Sequence, residues 1–151
     1  MNYILILTLA ILSGCAGPKF LATNINDALI ENEPKIRVVH DEKTRAGFEK
    51  AMVKWLDQNL MPYELVPSSS VHQPNFLTLE YTGRWSWDMG LFLADAQIKA
   101  SHQGDRVGIV QFLAPNTLNP SKYGNAEERI GYMMDVLFGY QTAEAATASI
   151  N

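Results

Sequence analysis

The chain has 151 residues, enough for one domain with its own core, and carries 12 Lys and Arg against 16 Asp and Glu for a formal charge of −4. Mildly acidic, dispersed charge offers no electrostatic footprint for nucleic acid and no basic cluster for anionic lipid. The single cysteine, Cys15, excludes a disulfide within the chain and a zinc–cysteine cluster.

The first element is a greasy run. Tyr3 to Leu12 are apolar apart from Thr8, about half of the roughly twenty residues that span a hydrocarbon core. Ser13 and Gly14 then supply the small side chains that a signal peptidase requires near its cut. Leu12-Ser13-Gly14-Cys15 resembles the lipobox of bacterial lipoproteins, in which the cysteine thiol is acylated and becomes the new N-terminus. The n-region "MNY" departs from that pattern in having no Lys or Arg. The resemblance implies a signal peptide over residues 1–14 and lipidation at Cys15, which leaves no thiol free to act as a nucleophile. Ala16, a non-aspartate after the cysteine, implies the outer membrane and its periplasmic face.

Residues 15–34 read as a tether, with Phe20, Leu21, Ile25, Leu29 and Ile30 able to pack as a short helix before Pro34. "KIRVVH", residues 35–40, is rich in β-branched side chains and predicts a strand. Asp41 is placed to cap a helix running to about Asn59, whose Phe48, Met52, Trp55, Leu56 and Leu60 recur at helical spacing. "YELVP" predicts a short strand and "SSSVHQP" a loop.

From Asn75 to Asp88 the chain alternates: Leu77, Leu79, Tyr81, Trp85 and Trp87 fall on one face, and Thr78, Glu80, Thr82, Arg84 and Ser86 on the other. A strand over residues 91–101, the turn "HQGD" and a strand "RVGIVQFLAP" predict a hairpin. Asn125 with Glu128 resembles a capping box, opening a helix that buries Ala126, Ile130, Met133, Met134, Leu137 and Phe138 and stops at Gly139. Residues 140–151 read as a frayed, flexible tail. The expected fold is an α/β (α+β) two-layer sandwich over residues 35–139: a largely antiparallel sheet of four to five strands with two helices on one face.

Candidate chemistry is sparse. His40, Asp41 and Glu42 are adjacent at a strand end, where sites often sit, but a strand-end His40, a capping Asp41 and a helix-dipole role for Glu42 are the favoured reading. His72 and His102 have no partner at metal-ligand spacing, and Ser68 to Ser70 form no nucleophile elbow. No metal, cofactor or assembled catalytic set is expected. Trp85, Trp87 and Asp88 are the candidate binding residues, with the indoles either under the helices or exposed as a platform.

"GRWSWDMGLFLADAQIKASHQGDRVGIVQF", residues 83–112, resembles small, uncharacterised proteobacterial envelope lipoproteins, in which a Trp-Asp pair similarly precedes a strand and a Gly-containing turn. The resemblance spans residues 35–138, implies an α/β periplasmic domain and assigns no catalytic residue. The leading expectation is a lipid-anchored, non-enzymatic binding or accessory subunit of an envelope assembly or transport system, with an envelope protein as partner. Its rivals are a small hydrolase using Asp88, Glu80, His40 or Asp95 and a small-ligand carrier with a pocket between sheet and helices.

Overall fold

The computed structural model describes residues 17–70, 73–115 and 118–151. Six strands form one mixed sheet: β1 (Lys19–Thr23), β2 (Lys35–Val39), β3 (Tyr63–Val66), β4 (Phe76–Trp87), β5 (Leu91–His102) and β6 (Asp105–Leu113). Their order across the sheet is β1-β6-β5-β4-β2-β3. β4, β5, β6 and β1 are antiparallel neighbours, whereas β2 runs parallel to both β4 and β3. Helices α1 (Asp27–Glu31), α2 (Ala46–Gln58), α3 (Ala126–Leu137) and α4 (Ala143–Ser149) complete the molecule, with a 3₁₀ turn at Pro120–Tyr123.

The α+β class agrees with the sequence, but the sheet is larger and more mixed than expected, and the described residues form four α-helices rather than two. Two segments account for the difference. In the segment expected to be a tether, Lys19–Thr23 pairs with β6 as an edge strand, and Ile25 is fully buried. In the segment expected to fray, Thr142 caps α4 by accepting from Ala145 N at 3.1 Å, and Ala146 is fully buried. Both pieces are short and weakly periodic, so tertiary packing rather than local pattern decides them.

The alternation in β4 puts Leu77, Leu79 and Tyr81 on the covered face, where they meet Phe48, Met52 and Leu56 of α2. Ile98 and Ala100 of β5 and Val110 and Phe112 of β6 extend that face toward Met133, Met134 and Leu137 of α3. Each fully buried Leu, Phe or Met contributes about 1.5–3 kcal/mol of transfer free energy, which holds the two layers together. Gly83 lies where Phe48 crosses β4; a Cβ there would come within 2.8 Å of the Phe48 ring. The phenyl therefore stacks on Tyr81, with centroids 5.1 Å apart, and meets Trp85 edge-on.

The start of α2 differs from expectation. The helix begins at Ala46, and Asp41 instead ties a turn by accepting from Lys43 N at 3.2 Å and Thr44 Oγ1 at 2.6 Å. Thr44 Oγ1 accepts in turn from Gly83 N at 3.0 Å, so this turn covers the edge of β4 where β2 has ended. Leu60, expected on the buried face, is 89% exposed at φ +56°, because the chain reverses there toward β3. Asn125 caps α3 by accepting from Glu127 N at 2.9 Å, and Gly139 ends that segment at φ +78°, where glycine is favoured.

Candidate functional site

The hairpin of β4 and β5 is longer than the sheet around it. β6 pairs with β5 only as far as Leu113 opposite Asp95, and β2 pairs with β4 only as far as Leu79. Ala114 N still donates to Ala94 O at 2.8 Å, and Phe92 and Leu93 are buried, so only residues 86–91 project as a two-stranded ribbon, beyond a bulge between Arg84 and Trp85. The expected single apolar face breaks there. Trp85 is half-buried against Phe48, and the Arg45 guanidinium lies 5.8 Å from its ring. Trp87 is two residues further out, past the end of the helix layer, and is 73% exposed.

Asp88 sits in the turn of this ribbon and is held. Its carboxylate accepts from the buried Lys122 Nζ at 2.5 Å, and its carbonyl accepts from the Tyr123 hydroxyl. The Asp88 hydrogen bond pushes the Lys122 ammonium above its ordinary pKa. Lys122 and Tyr123 belong to the 3₁₀ turn, which packs on β5 through Phe92. Arg129 of α3 fixes that turn. It is 2% exposed, forks onto the Lys122 and Ser121 carbonyls and lies 4.9 Å from the Phe112 ring centroid. Burial pushes its pKa down.

A second cluster forms where the connections of β2 and β4 diverge, the kind of crevice that often holds ligands. His40 Nδ1 lies 2.7 Å from Glu49 Oε2, which also accepts from the Tyr81 hydroxyl at 2.9 Å. The hydroxyl itself accepts from Asp41 N at 3.2 Å. The hydrogen bond and charge of Glu49 raise the His40 pKa above 6.5, burial pushes Tyr81 up to about 12, and Thr44 holds Asp41 below its usual range. His40, Asp41, Glu80 and Tyr81 line an open cleft of about 260 Å³.

Of the four residues considered for hydrolysis, the structure thus brings only His40 and Glu80 to one cleft. Asp88 is paired with Lys122 at the hairpin turn, and Asp95 with Arg84 across the β4–β5 ladder. Glu80 stands opposite Lys99 in that ladder. Among the described residues no group of three His, Cys, Asp or Glu side chains could hold a metal. Cys15, with the preceding Leu12-Ser13-Gly14 that resembles a lipobox, and His72 lie outside the described residues.

A groove of about 700 Å³ lies at the opposite end of the sheet, beside β3. Ile30, Leu60, Met61, Tyr63, Phe76 and Phe138 line it. β3 is an edge strand paired only with β2. The N–H and C=O of one strand residue point to the same edge; Val66 O accepts from His40 N at 2.8 Å, so Leu65 turns its backbone outward. At the other edge of the sheet α4 covers part of β1, where Phe20 N donates to Thr147 Oγ1 at 3.0 Å. This groove is not legible in the sequence. A Leu-Met-Pro break after an amphipathic helix is the one signal that marks it, and that signal also reads as a plain turn.

No protein-family model and no curated protein matches the chain. Among solved structures it is similar to a minor lipoprotein from Acinetobacter baumannii at 14% identity, covering 78% of this chain and 90% of that one with a TM-score of 0.33. At that level the likeness carries neither fold nor function.

Proposed function

We propose that this chain is a lipid-anchored lipoprotein of the outer membrane's periplasmic face, whose domain works by binding an envelope protein rather than by catalysis. One observation carries the binding reading: an open edge strand, β3, beside an apolar groove of about 700 Å³, whereas α4 packs on the opposite edge at Phe20 of β1. An extended segment of a partner adds to such an edge through backbone hydrogen bonds while its side chains enter the neighbouring groove. β3 has four residues and carries Glu64, whose carboxylate accepts from Arg37 Nε at 2.6 Å. A short, charged edge disfavours indiscriminate pairing, which leaves selection to the groove. The ion pairs of Asp88 and Asp95 are structural roles for two of the carboxylates that hydrolysis would need.

Leu65→Pro tests this reading, because proline removes the outward N–H and is tolerated on an edge. The acylated protein, purified from solubilised envelope, is expected to retain a partner in wild type and to lose it in Leu65→Pro at an unchanged melting temperature. Recovery of free monomer from both would reject the reading.

A further inference from the structure

The same hairpin that carries Trp87 projects from the end of the sheet at which the chain enters it. β1 begins at Lys19 opposite Leu113, and Leu113 lies opposite Asp95, which lies opposite Arg84. From that level the hairpin continues to Trp87, three residues or about 10 Å further at the rise of a β-strand. Lys19 stands four positions after Cys15, and a fully extended chain covers at most about 14 Å over those four steps. Acyl groups on Cys15 and the tip of the hairpin can therefore lie in one plane.

The surface of the tip suits such a plane. Trp87, Met89 and Leu91 are exposed, and Met89 is held outward at φ +59° with 86% of its surface free. Leu118 is 88% exposed and comes two residues before the 3₁₀ turn that clamps Asp88; Leu113 and Tyr123 are partly exposed at the same end. Contiguous exposed apolar groups mark a membrane or a partner surface, and tryptophan concentrates at the membrane–water interface. The clamp through Lys122, Tyr123 and Arg129 keeps the ribbon from folding back. Leu60, by contrast, lines the groove at the other end, and Leu65 lies on the β3 edge beside it.

The geometry points to the β4–β5 hairpin tip as a second membrane contact, inserting Trp87, Met89 and Leu91 into the leaflet that holds the acyl anchor. This rests on the lipid-anchor reading above. The lipid chains act at one point and leave the domain free to tumble; a second contact fixes its orientation and turns the β3 groove away from the bilayer.

The test uses the full acylated protein in vesicles of phosphatidylethanolamine and phosphatidylglycerol, with and without brominated acyl chains. Trp87→Phe is compared with wild type, since Trp87 is exposed and its loss leaves the core intact. The bromolipid-induced loss of emission is expected to be roughly twofold greater in wild type, Trp87 being the indole at the interface. Met89→Asp with Leu91→Asp is expected to lower the wild-type quenching while the protein stays vesicle-bound. Equal quenching of wild type and Trp87→Phe in protein whose Cys15 peptide carries the acyl mass would overturn the inference and leave the anchor standing. Trp87 shielded from aqueous iodide but untouched by bromolipid would assign the tip to a protein partner, and would overturn it equally. A Cys15 peptide without acyl mass would overturn the anchor, and the inference with it.

Discussion

His40 shows how a neighbouring carboxylate sets the pH response of a single side chain. Glu49 lies 2.7 Å from the imidazole and raises its pKa above 6.5, with Glu42 and Asp41 adding to the effect. The folded state therefore binds the proton more tightly than the unfolded chain does. The resulting stabilisation is fully present below pH 6.5 and is lost as pH rises through the raised value. Glu49→Gln removes the charge and keeps the shape. It is expected to move the His40 titration, followed by NMR of the ring protons, down toward 6.5 and to flatten this part of the pH–stability curve. An unmoved titration would show that the pair does not persist in solution. The position of His40 at a strand end was legible in "VVHDEKT", but its partner was not, because Glu49 is nine residues away on the next helix. Trp87 is a similar case. Alternation gave its side of the strand, while its exposure depends on where the helix layer ends, which is a property of packing.

The short elements at the two termini stabilise each other. β1 lies against β6 and presents Phe20 N to Thr147 on α4, and Asn151 Nδ2 donates to Pro18 O at 3.4 Å. Ala146 is fully buried and Ile150 partly buried in this contact. Deleting residues 140–151 would strip α4 from the edge of the sheet and leave Phe20, now 3% exposed, open to water. The expected result is a melting temperature lowered by more than about 5 °C, corresponding to about 1 kcal/mol or more for a domain of this size. An unchanged melting curve would mean that α4 is undocked in solution. The strands β4 to β6 and helices α2 and α3 could be read from the sequence because their apolar periods are long and regular. β1 and α4 are five and seven residues, too short for a period to stand out from composition. β2 and β3 were legible as strands, but their parallel pairing on the far side of β4 is set by the crossover through α2.

At the scale of the whole molecule, the described domain begins to pair at Lys19, only four residues after Cys15. An anchor at Cys15 would thus hold the domain against the membrane rather than on a long leash, and would do so without contributing to its core. Cys15→Ser separates these two roles, since serine cannot be acylated through sulfur and stands before every described strand and helix. Each acyl CH₂ in the bilayer contributes about 0.8 kcal/mol, and an anchor of more than one chain binds stably where a single chain binds only reversibly. Cells expressing Cys15→Ser are therefore expected to lose the protein from washed membranes. The soluble domain, stripped of its leader, is expected to melt at the wild-type temperature. The hairpin tip alone supplies three exposed apolar side chains, too little apolar area to replace the acyl chains, so the variant should not remain bound through Trp87. Retention of Cys15→Ser at wild-type levels in salt- and carbonate-washed membranes would mean that something other than the lipobox cysteine attaches this protein, and would remove the basis of the lipoprotein reading.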